Sequence, residues 1–541
     1  MNTNLIFSMK PNFYKNRIFQ ILVVVILLLL FLKIDFRFQE TVYCCGDDHD
    51  YYMHAETLAI DFDLDYSNQM EGIETKRFYN NGKFAPTGFI GSGIYASPFL
   101  FFGNFIDKLF TGEENLSSEI MNFRLLFYSL SPVFYFLLTI NLTIRVLDIL
   151  NFKYKPLLIY LIFFGSGVSY YAFERYSMTH VYESFSVILI LYLSLKYFTT
   201  SNNKVFGFLI PVTIALGISV KWVNYFIFLI PYFAKKFLGK NKINNDNLSK
   251  DYLFIFSSVI STLLFLMHTK ILYGIYTFNP QFVYRTGGAV SNFVNRDKNF
   301  IDFIGTNLLN VIKILFSQEF GLFWFSPIIF IGFILCIVNL LTTQRQNFLF
   351  NVLIFGSFTQ VFLVVLLWRS TASSYGFRYL FCLTPLSIIL YFYFQSKKNS
   401  KFINKYLFIF SIFSILSLLF FETTPGTQLA LVETTNTFGR TLKYTQPLYL
   451  QGFLLSFLEI DSYLKIFTTS FFGAIIFKII FIFINPSSLI NLLDGFGLPV
   501  NNPDFIEYIS EIEKINLSKF LFLLILFLII SNRLVSKITK R

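Results

Sequence analysis

The densest chemistry in this sequence lies in Gly46-Asp47-Asp48-His49-Asp50-Tyr51-Tyr52. Three carboxylates within four residues repel one another, which eases protonation of at least one of them. A carboxylate in that condition suits general-base work on an acceptor hydroxyl. The same residues also fit a solvated acidic loop. A second stretch, Asp61-Phe62-Asp63-Leu64-Asp65-Tyr66-Ser67-Asn68, alternates in the manner of a calcium loop. It carries Tyr66 where such a loop needs Gly, and Gly72 where it needs Glu, so an EF-hand is rejected. Hydrogen-bonded turn structure is the expectation there.

His180 and Glu183 are three residues apart and share a helix face, with Glu174, Arg175 and Ser177 just ahead of them. The grouping suits a proton relay or a phosphate site, and equally a polar helix start. Only four histidines occur, His49, His54, His180 and His268. Cations on the segments predicted to lie on the same side are Lys221, Arg285, Arg296, Lys298, Arg369 and Arg378. Arginine binds phosphate bidentately, and near a membrane boundary it also reaches for lipid headgroups. For Arg378, in Ser373-Ser374-Tyr375-Gly376-Phe377-Arg378-Tyr379, both readings stand. No phosphate-binding glycine loop, nucleophile elbow or zinc-protease helix is present in the sequence. Cys336 and Cys382 lie in apolar runs as packing residues, and Cys44 and Cys45 adjoin the first loop. The four show no zinc spacing and no disulfide framework.

The elements that must position these groups are membrane helices. The chain has 541 residues, 55% hydrophobic and only 14% charged. Soluble domains carry about 25% charged residues, and so apolar a chain needs lipid as solvent. Apolar runs predict spans near 18–36, 122–143, 155–172, 181–199, 205–220, 221–234, 252–273, 320–341, 347–367, 376–394, 403–421, 463–484 and 517–531. The fold class is therefore an all-α integral membrane protein, a polytopic bundle of about 12–14 transmembrane helices. The net charge of +12 follows the positive-inside pattern, so topology explains it and no nucleic-acid partner is expected. Basic residues after the second, sixth, eighth and tenth spans share the side of Lys10, Lys15 and Arg17, so the N-terminus is cytoplasmic. Arg533, Lys537, Lys540 and Arg541 break this order, which leaves the side of the C-terminus open. The long first loop, 37–121, is external, as are 274–318 and 422–462. In the first loop Tyr51, Tyr52, Ala55, Leu58, Ala59 and Phe62 recur at helical spacing, which predicts a short interfacial helix; Gly88 to Phe102 predicts a second.

This order of a first span, an outer acidic pair, interfacial helices and many further spans resembles the C-type (GT-C-like) membrane glycosyltransferases. That superfamily includes the protein O-mannosyltransferases and the aminoarabinose transferases. The resemblance is nearest to bacterial mannosyltransferase-like proteins with Gly-Asp-Glu after the first span. It rests on Gly46-Asp47-Asp48, the Asp61–Asn68 stretch, Pro86-Thr87-Gly88 through Ser97-Pro98-Phe99, Ser177-Met178-Thr179-His180, Phe320 through Pro327, and Trp368 through Tyr379. It implies an inverting transfer of a hexosyl or pentosyl sugar from a polyprenyl-phosphate donor to a lipid, glycan or protein acceptor on the external face. Asp47 is then the base. Asp48, one methylene shorter than the family's Glu, binds acceptor, leaving phosphate or metal. Arg285, Arg369 and Arg378 are candidates for the phosphate by position and charge, with His180 as an additional donor. No cofactor is firmly implied, and a divalent metal stays open. The implied location is a bacterial inner membrane with the site on the periplasmic side. Residues 1–421 would form the catalytic module, and 422–541 a C-terminal loop with the last one or two spans. A flippase for lipid-linked sugars and a ligase using a polyprenyl diphosphate are the rival readings. Acids gathered in an outer loop rather than at mid-membrane favour the enzyme over the flippase.

Overall fold

The computed structural model describes residues 46–69, 78–80, 83–86, 88–111, 123–173, 175–200, 204–238, 251–278, 300–317, 321–342, 376–397, 400–419, 432–435, 441–444 and 471–497, plus isolated positions. The expected spans at 18–36, 347–367 and 517–531 lie outside the described residues apart from single positions. Arg285, Arg296, Lys298, Arg369, Cys44, Cys45 and the side chain of Asp47 also lie outside them.

Lipid offers the backbone no hydrogen bonds, so an apolar chain of this kind closes its own as helix. α1 (Gly46–Glu56) runs into a single π-turn at Thr57–Asp61. α2 (Ile90–Thr111) and α3 (Phe123–Ile149) follow. α4 (Pro156–Phe164) and α5 (Val168–Phe173) replace the single span expected over 155–172, because Gly165-Ser166-Gly167 interrupts it. The Gly167 amide at the break donates instead to Ser326 Oγ, at 3.0 Å. α6 (His180–Thr199) and α7 (Lys204–Val220) lie where spans were expected. A 3-10 turn, Trp222–Leu229, leads into α8 (Ile230–Leu238), and α9 covers Tyr252–Tyr273.

The loop expected over 274–318 contains α10 (Phe300–Phe316). The run near 320–341 divides at Ser326-Pro327 into α11 (Leu322–Phe325) and α12 (Pro327–Thr342). A 3-10 segment, Arg378–Leu383, continues as α13 (Thr384–Lys397), followed by α14 (Lys401–Leu419). α15 (Phe471–Ile480) and α16 (Pro486–Gly495) complete the described helices. Two short antiparallel hairpins interrupt the helical pattern. Phe78–Asn80 (β1) pairs with Lys83–Ala85 (β2), and Val432–Thr435 (β3) with Thr441–Tyr444 (β4).

Among the described residues, four segments are long and apolar enough to cross a membrane: α3, α6, α9 and the continuous run Arg378–Ser396. The chain is a polytopic helical membrane protein. Of its candidate spans, α6 is 83% buried and α9 only 22%, so α6 is the centre of the bundle and α9 its rim. α6 packs on α3, α7, α8 and the 3-10 segment at 378–383. Hydroxyls within the helices bond back one turn, as Thr143 does to the Thr139 carbonyl at 2.8 Å and Ser194 to Ile190 at 2.7 Å. That removes the cost of placing them in an apolar surround.

Glycine brings α1 and α2 to the end of this bundle. A Cβ at Gly93 would lie 2.5 Å from His54 Cβ, and one at Gly91 would lie 2.3 Å from the Val220 amide nitrogen. Only the absent side chain lets the backbones approach so closely. Asp107, near the end of α2, accepts from the amides of Phe123 at 2.9 Å and Arg124 at 2.8 Å, and so caps the start of α3.

Candidate active site

The first turn of α1 carries Asp47 and Asp48, where the helix dipole favours negative charge. Asp48 is 1% exposed and is gripped by Arg175, 127 positions later. Arg175 Nη2 stands 2.6 Å from Asp48 Oδ2, and Arg175 Nε donates to Oδ2 at 3.0 Å and Oδ1 at 3.3 Å. Burial opposes the charge on Arg175, but the Asp48 carboxylate outweighs it and holds the guanidinium above its ordinary range. Tyr128 and Tyr176 pack edge-on beside the pair, and Tyr52 of α1 meets Tyr128 at 5.0 Å.

Arg175 sits in the turn between α5 and α6, which ends in Thr179 just ahead of His180. Here the second group begins. Glu183 is fully buried on α6, and its Oε1 is shared. It accepts from Thr179 Oγ1 at 2.6 Å, stands 3.1 Å from His180 Nδ1, and is 3.5 Å from Lys221 Nζ. Lys221 follows the last residue of α7 and lies 4.8 Å from the centre of the Tyr379 ring. The guanidinium of Arg378 lies 5.3 Å from the same ring. Arg378 is also close enough to act electrostatically on both Arg175 and His180, which ties the two groups together. Ser184 Oγ donates to the Phe381 carbonyl at 3.0 Å and holds the 3-10 segment against α6. His180 Nε2, Glu183 Oε2 and the side-chain amide of Asn224 are buried without a hydrogen-bond partner. Unmet polar atoms in so tight a setting are capacity for a ligand.

α1 is anchored from its other side. His54 is buried, with Nε2 2.9 Å from the Gly88 carbonyl and Nδ1 2.7 Å from Tyr66 Oη. A carbonyl only accepts, so Nε2 carries the proton and Nδ1 accepts from Tyr66. Burial pushes the ring's pKa down to about 4, a loss only partly countered by the Gly88 bond. Glu56 pairs with Arg124 at 3.1 Å; burial raises its pKa, and Arg124 offsets part of the rise.

Among the expected site residues, Asp48, His180 and Arg378 come together at one end of α6. Sequence reasoning placed Arg175 beside His180 and Glu183 but gave it no role of its own, and it set Lys221 aside with the other outer cations. One signal was available for each. Arg175 immediately precedes the Ser177–His180 stretch, and Lys221 is a lone cation ending an apolar helix. The second acidic stretch is a turn, as expected. Thr57 Oγ1 donates to Asp63 Oδ1 at 2.8 Å, the Asp65 and Ser67 amides donate to the Asp63 and Asp65 carboxylates at 3.1 Å, and Asn68 Nδ2 donates to Asp61 at 3.0 Å. Among the described residues no three His, Cys, Asp or Glu gather as metal ligands.

No family model matches the chain. No curated protein sequence matches it either. Among solved structures it is similar to the apo crystal structure of the Archaeoglobus fulgidus oligosaccharyltransferase, with 13% identity and a TM-score of 0.37. That likeness covers 75% of this chain and 56% of the archaeal one, so the chain spans just over half the length of that protein.

Proposed function

We propose that this protein is a membrane glycosyltransferase that moves a sugar from a polyprenyl-phosphate donor to an acceptor at the external face. The observation that carries the reading is the buried, bidentate Asp48–Arg175 pair set beside Arg378, Lys221 and His180. A carboxylate so held is spent on geometry: it fixes the first turn of α1, the turn that carries Asp47. Asp47 is the base in this mechanism. It takes the acceptor proton as the oxygen attacks the anomeric carbon, and the sugar–phosphate bond breaks with inversion. Polyprenyl phosphate leaves with the electron pair, and Arg378 and Lys221 stabilise the charge that develops on it. Glu183 holds Lys221 at 3.5 Å, and both cations lie over the Tyr379 ring. Arg285 and Arg369 are further phosphate ligands in this reading.

The acceptor is a lipid, glycan or protein. The protein sits in a bacterial inner membrane with the N-terminus cytoplasmic, and 1–421 is the catalytic module ahead of a C-terminal 422–541 portion. The test is release of polyprenyl phosphate by the purified protein, reconstituted with polyprenyl-phosphate sugars and native membrane extract. Sugar-dependent release by wild type that vanishes in Asp47→Asn supports both transfer and base. Release that persists in Asp47→Asn sinks the site and keeps the enzyme. Movement of the lipid across the bilayer without release would make the protein a flippase.

A further inference from the structure

Glu183 is a buried carboxylate to which the transfer mechanism gives no part. It lies fully buried near the start of α6, where a carboxylate is costly unless a cation meets it. Its own helix fixes it in place. Thr179, one turn earlier, donates its hydroxyl to Glu183 Oε1 at 2.6 Å, and the Glu183 amide donates to the Thr179 carbonyl at 3.0 Å. His180 Nδ1 stands 3.1 Å from the same carboxylate oxygen. The side chain therefore has little rotamer freedom left to lose in holding a cation.

The register of α7 against α6 brings that cation. α6 ends at Thr199 and α7 begins at Lys204, and the two run antiparallel. A Cβ at Gly207 would lie 3.0 Å from the Tyr197 ring, and one at Gly217 would lie 3.2 Å from Ser186 Cβ. One turn beyond Gly217 and Ser186 come Lys221 and Glu183, with Lys221 Nζ 3.5 Å from Glu183 Oε1. The Lys221 backbone is tied as well: its amide donates to the Gly217 carbonyl at 3.5 Å, and its carbonyl accepts from the Asn224 amide at 3.1 Å. The ring of Tyr379 lies 4.8 Å from the ammonium. Ser184, next to Glu183, donates to the Phe381 carbonyl at 3.0 Å and so fixes the segment that carries Tyr379. A single turn of α6 thus sets both groups against which Lys221 rests.

The lysine side chain is 12% exposed and the glutamate side chain 0%, so Lys221 is the member of the pair that a donor can meet. A carboxylate also repels a phosphate. We propose that Glu183 is a positioning residue of the transfer site: it holds the Lys221 ammonium in place for the donor phosphate and acts on the reaction only through that lysine. This rests on the reading of Lys221 as a phosphate ligand.

A double-mutant cycle on the full-length protein in nanodiscs tests it. Glu183→Gln keeps the shape and an oxygen for Thr179 but removes the charge, and Lys221→Met keeps the stem but removes the ammonium. Glu183→Gln should lower kcat/KM for polyprenyl phosphate release by roughly tenfold to a hundredfold, and should cost nothing further once Lys221 is Met. Thr179→Val, a milder change that unfastens the carboxylate, should lower it by roughly threefold to tenfold, again only while Lys221 is present. Thermal unfolding certifies each variant as folded, and Thr179→Val carries the test if Glu183→Gln does not fold. A Glu183→Gln loss that persists in the Lys221→Met background, or no loss in either Glu183→Gln or Thr179→Val, would overturn the proposal. Failure of the transfer reading is a separate result. If wild type releases nothing from any polyprenyl-phosphate sugar, the same cycle is read by binding of polyprenyl phosphate in native mass spectrometry. An affinity change from Glu183→Gln that requires Lys221 then upholds the positioning role without the enzyme. A change that does not require Lys221, or no binding by wild type, overturns it.

Discussion

Two acidic stretches lie little more than a dozen residues apart, one at Asp47–Asp50 and one at Asp61–Asp65, and they have opposite fates. In the first, Asp48 is buried and bound by a guanidinium from a distant segment. In the second, Asp61, Asp63 and Asp65 bond to hydroxyls, amides and backbone within eight residues of themselves. The Asp48 carboxylate depends on the packing of the bundle, whereas the carboxylates of the second stretch find partners in their own neighbourhood. Similar composition thus yields a buried ion pair in one place and a turn in the other. The difference lies in whether the fold removes water and supplies a counter-charge from elsewhere.

The sharpest way to break the comparison is to remove one carboxylate from each stretch. Asp47→Asn should lower transfer by roughly 10²–10⁴-fold with little change in thermal stability, whereas Asp63→Asn should leave transfer unchanged. Polyprenyl phosphate release under saturating donor checks both. Equal losses would mean that the two stretches form one site.

Next in size is the pair that gives the first stretch its character. Arg175→Ala takes the guanidinium away from the buried Asp48 carboxylate and should cost about 3–5 kcal/mol. Replacing both, as Asp48→Leu/Arg175→Met, should recover most of that loss without restoring transfer. Denaturant titration of the four proteins of the cycle, in one detergent, gives the coupling directly. Additive losses would show that the pair contributes nothing as a pair.

Acid should then separate the stretches through His54, whose ring is the hinge between α1 and the turn that holds Tyr66. Between about pH 4 and 6.5 the unfolded ring binds a proton that the folded ring refuses. Stability therefore rises with pH across that window and is complete above it. The full amplitude is about 3 kcal/mol, from a shift of about 2.5 units at ~1.36 kcal/mol each. Tyr66, Tyr273 and His268 are the other titratable groups around it, and His268 acts in the same direction. Unfolding midpoints measured from pH 4 to 7 should fall with acid in wild type and hold steadier in His54→Gln.

The smallest effect belongs to the turn. Asp65→Ala removes a cap on the Ser67 amide at an exposed site and should cost about 1 kcal/mol or less, with no change in transfer. A larger loss would mean that the turn is a structural element on a par with α1.

Much of the architecture was legible because apolar periodicity is a local signal. The span expected at 252–273 coincides with α9, and those at 181–199 and 205–220 match α6 and α7 to within one residue. The breaks were harder to read. Gly165-Ser166-Gly167 and Ser326-Pro327 interrupt apolar runs whose average hydropathy hides them, and they do so where Gly167 and Ser326 meet each other. The helix in α1 was readable from its spacing, but its depth was not. Ala55, Ala59 and His54 are buried, and it is Gly93 of α2 that lets α1 come close at His54 and Ala55; no property of α1 alone says so.

The sequence by itself determined that this is a helical membrane protein, that three carboxylates gather within Asp47–Asp50, and that the Asp61–Asn68 stretch is a turn. Those follow from composition, charge order and short-range bonding, which act over a few residues. Only the tertiary structure decided that Asp48 belongs to Arg175, that Glu183 is shared by His180 and Lys221, and that Lys221 and Arg378 share one tyrosine ring. Asp48 and Arg175, Glu183 and Lys221, and Lys221 and Tyr379 are separated by tens to more than a hundred positions, and only the packing of α6 against α3, α7 and the 378–383 segment brings them within a few ångströms.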